Sequence, residues 1–184
     1  RRGIHRAWFI LAILAVAQVT AQSISMSAGI MVAPLNDPDG PFGWNIGIIA
    51  AGLATYYVCG ATVAPITGML GDRYGARPLM FACGLLYMTS MILVGTITHL
   101  WQFFLYFGVM LSVTQSLAMV PLLASVSGWF KIKLGLATGI LWAAGGIGAA
   151  AIAPSVANLL DAFGWQTTFT IIGIAGGGTL TVLT

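Results

Sequence analysis

The sequence predicts an all-α membrane protein with six transmembrane helices, and three observations carry this prediction. Hydrophobic residues make up 59% of the 184 residues, whereas Asp, Glu, Lys and Arg together make up only 6%. The charged residues fall in short clusters, and every uncharged run between clusters is as long as a membrane span. All Lys and Arg residues fall on one side of the alternating spans. A soluble globular domain needs far more charged surface, so that class is excluded.

The limits of the spans follow from the uncharged runs, which cover 7–36, 40–71, 78–130, 134–160 and 162–184. A helix needs about 20 apolar residues to cross a hydrocarbon core about 30 Å thick. Each run is long enough, and the longest holds two spans because Thr96, Thr98, His99 and Gln102 form a polar break. The six predicted spans are 8–33, 44–69, 79–97, 101–127, 135–158 and 167–184.

The first span has an alternative interpretation as a cleaved leader. The arginines at 1, 2 and 6, the apolar run 7–17 and the small residues 15–17 resemble a secretory signal peptide. Apolar character resumes after Gln22 and continues through Ala33, which favours a retained helix. Because the first residue is Arg and the last span has no polar flank, we expect the sequence to be part of a longer chain.

Small residues recur every four positions in the fifth and sixth spans. Gly145, Ala149 and Ala153 share one helix face, and Gly173 and Gly177 share another. In lipid, small residues let two helix backbones approach and gain dispersion contacts. We therefore predict close helix packing on both faces.

Orientation follows from the basic residues, which cluster at 1–6, 73–77 and 131–133. With six alternating spans, all three clusters lie on the same side, and this side is cytoplasmic by the positive-inside rule. The acidic residues Asp37, Asp39 and Asp161, together with His99, lie on the opposite side. The chain is thus predicted to sit in the plasma (inner) membrane with a cytoplasmic N-terminus.

The available side chains argue against several kinds of chemistry. Cys59 and Cys83 both lie inside predicted spans, so we expect no disulfide, metal site or cofactor. Every Asp lies in a predicted loop and the two His residues are far apart, which does not supply the nucleophile and base of an enzyme. No basic stripe with interleaved aromatic residues is present, so nucleic acid is not an expected partner.

Polar side chains inside the spans are the candidates for a substrate cavity. Gln18, Gln22 and Ser25 recur at i, i+4 and i+7 in the first span and share one helix face. The fifth span carries Trp142, whose indole N–H needs a partner at mid-depth. Interhelical hydrogen bonding or simple packing is the alternative role for each of these side chains. The fourth span adds Thr114 and Gln115, flanked by Ser112 and Ser116.

The loop after the second span carries the first family motif. It reads Gly68-Met69-Leu70-Gly71-Asp72-Arg73-Tyr74-Gly75-Ala76-Arg77. Gly75 permits a tight reversal, and Asp72 can pair with Arg73 or Arg77 as a simple solvated ion pair. The loop resembles the signature between helices two and three of the major facilitator superfamily. The resemblance implies a gate in which Asp72 latches the cytoplasmic ends of two transporter halves; Ala76 departs from the usual basic residue.

The loop between the fourth and fifth spans carries the second motif, which runs from Trp129 to Gly145. It is similar to the monocarboxylate transporter signature at Phe130, Lys133, Leu134, Leu136, Ala137, Gly139 and Ala143. Residues 42–44 resemble the segment that introduces helix two in bacterial relatives, including oxalate:formate antiporter-like proteins. Residues 163–169 resemble the family's stretch before helix six, with Gln166 in place of an Arg.

These resemblances imply the N-terminal six-helix half of a transporter, with a C-terminal half of the same transporter as its partner. They imply a small organic anion as substrate, moved by proton symport or anion exchange. Because no charged residue lies inside a predicted span, we expect the countercharge for a carboxylate in the other half. A neutral metabolite or drug as substrate, or a six-helix bundle without transport activity, is the alternative.

Overall fold

The structure of the chain is a computed structural model that describes residues 12, 14–22, 29, 32, 35, 36, 42–129 and 134–182. These residues are almost entirely helical, and no strand occurs among them. Most of the first predicted span, 8–33, lies outside the described residues, although 14–22 are helical.

Helix α1 spans Ile46–Tyr74, and helix α2 spans Ala76–Gly95. The Asn45 side chain caps α1 by accepting a hydrogen bond from the Gly47 amide at 2.9 Å. The chain reverses between α1 and α2 at a single residue, Gly75, which has φ 84°. This left-handed conformation suits glycine, so the tight reversal is confirmed. The predicted loop at 70–78 is wrong, because α1 continues as helix to Tyr74 and one glycine replaces the loop.

A third helical rod begins with a short turn at Leu100–Gln102 and continues as a π-helix over Phe103–Met110. It ends in helix α3, which spans Leu111–Trp129. The predicted polar break before this rod is confirmed. The Gln102 side chain accepts hydrogen bonds from the backbone amides of Thr98 and His99 at 2.8 and 3.0 Å, and thereby caps the start of the rod.

The final element, α4, spans Leu134–Val182 and is broken at Gly164, where φ is 74° and ψ is 168°. A helix of 49 residues would be more than twice as long as a bilayer core is thick. Gly164 lies inside the interval that separates the fifth and sixth predicted spans. A single glycine therefore provides the bend that the sequence predicts as a longer connection.

Four helices in the described part of the chain are long and apolar enough to cross a membrane: Ile46–Tyr74, Ala76–Gly95, Leu100–Gly128 and Leu134–Val182. Their starts and ends lie within five residues of those of the second to sixth predicted spans, with the largest difference at the end of α1 (74 against 69), and the fifth and sixth spans fall in the one broken element. The all-α membrane fold is thus observed.

Helix α2 packs against the second half of α4 through glycines. A Cβ atom added to Gly177 would lie 2.7 Å from the carbonyl oxygen of Gly84, so the two backbones touch. A Cβ atom added to Gly173 would lie 2.5 Å from Cβ of Met91. The predicted packing of the Gly173 and Gly177 face is confirmed.

The glycine face of the first half of α4 behaves differently. Gly145 and Ala149 are buried, and Gly145 packs against the stem of Gln18. Ala153 is exposed, so the predicted contact face does not extend to it. Gly148 also makes a close packing contact, because a Cβ atom added to it would collide with the Val19 side chain.

Candidate functional site

The candidate site is a groove between α1 and α3, with a volume of about 230 Å³. Small residues of α1 leave the space, and aromatic, polar and aliphatic side chains complete the walls. Its lining residues are Tyr56, Tyr57, Gly60, Ala61, Ala64, Ser112, Gln115, Ser116, Met119 and Val120. None of these side chains carries a formal charge. We call this space the α1–α3 groove.

Two serine hydroxyl groups that line the α1–α3 groove donate hydrogen bonds to backbone carbonyls. Ser116 donates to the Gly60 carbonyl at 3.0 Å and so ties α3 to α1. Ser112 donates within its own helix, to the Val109 carbonyl at 2.8 Å. What each hydroxyl can still offer is the lone pairs of its oxygen.

Gln115 is the remaining polar side chain that α3 contributes. Its Oε1 atom is buried and has no hydrogen-bond partner among the residues that the structure describes. An unsatisfied buried acceptor costs about 1 to 3 kcal/mol, so a rotation of this side chain that brings Oε1 to a hydrogen-bond donor would be favourable.

One end of the α1–α3 groove is closed by stacked aromatic rings. Tyr56 stacks on Phe107 with ring centroids 5.6 Å apart, and Phe107 stacks on Phe103 at 5.3 Å. Both Phe residues belong to the π-helix, and a Cβ atom added to Gly52 of α1 would collide with the Phe103 ring. The π-helix and Gly52 thus set the position of the stack of aromatic rings, whose last member is Tyr56.

Two parts of this site were not predicted from the sequence. The π-helix has no recognisable sequence signature, since it differs from an α-helix only in its hydrogen-bond register. The small residues that open the groove did have a signal: Gly60 and Ala64 lie four positions apart, the spacing that marks small-residue faces in the later spans.

The predicted cavity residues do not all meet in one place. Of those that the structure describes, Gln115 lines the α1–α3 groove together with its predicted neighbours Ser112 and Ser116. Thr114 is fully buried; its hydroxyl donates to the Met110 carbonyl at 2.8 Å, and its own carbonyl accepts from Cys83 Sγ at 3.4 Å. Thr114 therefore packs towards α2. Trp142 lies on the surface with 51% of its area exposed, outside this groove.

The predicted glutamine face of the first span is only partly described. Gln18 is fully buried, and neither atom of its amide group has a hydrogen-bond partner in the described ranges. Gln22 is half-buried, and Ser25 lies outside the described residues. Gln18 is thus a second side-chain amide, after Gln115, with a buried oxygen that has no partner among the described residues.

The first motif surrounds a smaller pocket of about 110 Å³, lined by Gly68, Gly71, Asp72, Ala76, Val120 and Ala124. Asp72 is exposed, and within the described part of the chain it makes no ion pair with Arg73 or Arg77. The Arg73 guanidinium instead lies 5.5 Å from the centre of the Tyr74 ring. The carboxylate is therefore available to a partner outside the described residues.

The second motif is described only in part. Phe130 and Lys133 lie outside the described residues. Gly139 is exposed on the first half of α4, and a Cβ atom added there would meet no described residue within 4 Å. The helix face around Gly139 is therefore open in the described part of the chain.

Comparison with known proteins gives a family match over nearly the whole chain. The sequence model of the Major Facilitator Superfamily matches residues 7–183. Human Monocarboxylate transporter 2 is 29% identical over 121 residues, which is 66% of this chain and 24% of that protein. Monocarboxylate transporter 3 of Gallus gallus is 29% identical over 109 residues, or 59% of this chain and 20% of that protein.

A relative of another kind also matches. The Fujikurins efflux protein of Gibberella fujikuroi is 26% identical over 125 residues, which is 65% of this chain and 27% of that protein. The chain spans about a quarter of the length of these relatives.

Proposed function

This chain belongs to the Major Facilitator Superfamily, and we propose that it is the N-terminal six-helix half of a secondary transporter for a small organic anion of the monocarboxylate type. It would act by alternating access, by proton symport or anion exchange, and would catalyse no covalent chemistry. Its partner would be the C-terminal half of the same transporter, with the substrate between the halves near the middle of the membrane.

The observation that carries this proposal is the α1–α3 groove. It is an uncharged, partly aromatic space of about 230 Å³ between two helices of membrane length. Ligand sites in proteins are mostly apolar spaces with a few placed polar groups, and Gln115 supplies such a group here. Two relatives named as monocarboxylate transporters support a carboxylic acid as the substrate.

The topology we propose retains the six spans and places the N-terminus, Gly75 and residues 130–133 on the cytoplasmic side of the plasma (inner) membrane. The bend at Gly164 divides α4 into two parts, and residues 14–22 are helical as well, which supports three spans in addition to α1, α2 and α3. A cysteine introduced at Tyr74 should react with an impermeant maleimide added from the cytoplasmic side, and one at His99 only from the other side. Reaction of both from the same side would contradict this topology.

The countercharge for a carboxylate is proposed to lie in the C-terminal half. The predicted spans of this chain contain no Asp, Glu, Lys or Arg, and a charge buried in a membrane usually marks a substrate or ion path. This half would then contribute shape and neutral hydrogen bonds. The remaining sequence of the protein should contain at least one Arg or Lys within a span.

A neutral metabolite or drug is the second candidate substrate, and the match to the Fujikurins efflux protein favours it. The uncharged α1–α3 groove suits such a solute equally well. The two candidates differ in whether their transport depends on a basic residue in the C-terminal half. Transport of a carboxylate would require such a residue, whereas transport of a neutral solute would not.

Flux into proteoliposomes that contain the intact protein tests the function directly. We expect uptake of at least one short or ring-bearing monocarboxylate, stimulated by an imposed inward proton gradient or by trans-side anion. The Gln115→Met variant should lose most of this uptake, whereas Gln166→Met, an exposed glutamine beside the Gly164 bend, should retain it. Uptake of neutral solutes without any uptake of carboxylates would contradict the anion proposal.

A further inference from the structure

We propose that the α1–α3 groove is entered from the Gly75 end of α1, and that the side chain of Val120 is the constriction on the way in. The entry compartment is the smaller space of about 110 Å³ beside Asp72, which we call the Asp72 pocket. As a route for the substrate, this path rests on the proposed function. The proposed topology places its entrance on the cytoplasmic side.

The two spaces follow one another along the same pair of helices. The α1–α3 groove is bounded by residues of 56–64 on α1 and of 112–120 on α3. The Asp72 pocket is bounded by residues of 68–72 on α1, by Ala76, and by Val120 and Ala124 on α3. Among the described lining residues, Val120 is the one that both spaces share. The passage between the two spaces therefore lies at Val120.

Val120 stands opposite a residue without a side chain. A Cβ atom added to Gly68 of α1 would lie 3.9 Å from Cγ1 of Val120, which is ordinary van der Waals contact. The wall opposite Val120 is therefore the backbone of α1, which cannot rotate away. A β-branched side chain in a helix is also restricted to few rotamers. The residue at position 120 thus sets the width of the passage.

The helix faces on both sides of this contact carry smaller residues. On α3, positions 112, 116, 120 and 124 share one helix face. They hold Ser, Ser, Val and Ala, so Val120 is the largest side chain on this face. On α1, Gly60 and Ala64 leave space on the groove side, and Gly71 leaves space on the pocket side. The line of space between the helices is therefore narrowed at Val120.

The far end of the groove is closed, which gives the path its direction. The stacked rings of Tyr56, Phe103 and Phe107 are each at most 5% exposed. Gly52 lets the Phe103 ring fit directly against α1, so the rings leave no gap there. At the other end, the Asp72 carboxylate is exposed, and an ionised carboxylate retains its water. Water therefore reaches these spaces from the Asp72 end.

Reaction of a cysteine placed in the groove tests this path without any substrate. The intact protein would carry Ala61→Cys with Cys59→Ala; Cys83 is fully buried and can remain. Sealed vesicles would be treated with 2-sulfonatoethyl methanethiosulfonate, a small ionised thiol reagent that does not cross lipid. The same protein without Ala61→Cys gives the background, and Tyr74→Cys identifies the side on which the Gly75 end lies.

Substitutions at Val120 should change the reaction rate in opposite directions. With reagent on the side where Tyr74→Cys reacts, Val120→Ala should speed the reaction of Ala61→Cys severalfold, and Val120→Phe should slow it severalfold. The control is Val58→Phe, because Val58 is 63% exposed on α1 and lines neither space. The reaction of Tyr74→Cys should not change in any variant. Should thermal unfolding show that Val120→Phe does not fold, Val120→Ala alone decides the result.

The charge of Asp72 gives a second test of the same path. Asp72 is the charged residue among the described residues that line either space. A fixed carboxylate raises the local concentration of cations, most strongly at low ionic strength. The rate for 2-(trimethylammonio)ethyl methanethiosulfonate, divided by that for the sulfonate reagent, should therefore fall severalfold in Asp72→Asn. Asp161→Asn should leave this ratio unchanged.

Equal rates for Val120→Ala and the unsubstituted protein would overturn the proposal, as would reaction of Ala61→Cys only from the opposite side. Failure of the proposed function has a different signature: the Val120 effects would be present, but proteoliposomes would take up no carboxylate. If carboxylates are taken up while the Val120 and Asp72 substitutions leave the labelling rates unchanged, the groove is reached by another route and only the present inference fails.

Discussion

Two helix pairs in this molecule use small residues for opposite purposes. Between α2 and the second half of α4, Gly84 and Gly177 bring the backbones into contact, and no space remains for a methyl group. Between α1 and α3, Gly60 and Ala61 face Ser112 across an open groove. The first pair of helices is a scaffold. The second pair leaves room for a ligand, and this difference locates the candidate site.

The difference also explains why composition alone does not identify the site. Gly177 and Gly60 are both glycines in apolar helices, yet a Cβ atom at Gly177 would lie 2.7 Å from a backbone oxygen, whereas one at Gly60 would lie 3.8 Å from its nearest neighbours. Burial and contact distance distinguish a packing glycine from one that leaves space.

The largest expected effect is a loss of stability at the contact between α2 and the second half of α4. Gly177→Ala should destabilise the intact protein by about 2 kcal/mol or more, because the added methyl group would meet the Gly84 carbonyl oxygen and neither backbone can yield easily. Thermal unfolding in detergent measures this change. The matched control is Gly178→Ala, where no atom of the described residues lies within 4 Å of the added Cβ position. Equal unfolding temperatures for the two variants would mean that α2 and α4 do not pack through these glycines.

A smaller effect is expected where the π-helix meets α1. Gly52→Ala would push the Phe103 ring from its place and disturb its stack with Phe107 and Tyr56. We expect a loss of about 1 kcal/mol or more, smaller than at Gly177 because a ring can rotate away. Gly60→Ala is the control, since its methyl group would make ordinary contacts. If Gly52→Ala were as stable as Gly60→Ala, the aromatic stack would not be fixed by this contact.

At Asp72 we expect an effect on transport and none on stability. Asp72 is exposed and makes no ion pair among the described residues, so Asp72→Asn should change the unfolding free energy by less than about 0.5 kcal/mol. A latch to the other half would nevertheless be lost, and uptake at equal expression should fall severalfold. Asp161→Asn, which removes an exposed carboxylate of α4 close to the Gly164 bend, serves as the control. Full uptake by Asp72→Asn would count against the latch.

The smallest effect is expected at Gly139, on the open face of α4. Gly139→Ala adds a methyl group that no atom of the described ranges approaches within 4 Å, and alanine is favoured over glycine in a helix by about 0.5 to 1 kcal/mol. The unfolding temperature should therefore stay the same or rise slightly. A marked fall would show that this face is covered in the intact protein.

Much of the fold could be predicted from the sequence because lipid imposes a simple length rule. The uncharged runs gave the approximate limits of α1, α2 and α3, and the Gly173 and Gly177 face was recognised from its spacing. Turns were predicted less well. Gly75 and Gly164 each reverse or bend the chain alone, and a hydropathy pattern does not distinguish a bend at one glycine from a loop of several residues.

The candidate site was less accessible to prediction. Gln115 was found because polar residues inside a span are costly and therefore noticeable. Its neighbour Thr114 looks equally suitable in the sequence, yet it points to α2 because adjacent residues of a helix lie about 100° apart. The groove itself depends on which helices meet, and that information appears only when the long-range packing is known.

The central claim is that the α1–α3 side of this half faces a water-accessible path while the α2–α4 side is scaffold in lipid. Thiolates react with maleimides only where water can reach them. Ala61 and Ala175 are both exposed alanines, the first in the groove and the second on α4. Measured separately in the intact protein in membranes, Ala61→Cys should react at least about tenfold faster than Ala175→Cys. Equal rates, or a faster reaction at Ala175, would contradict the account.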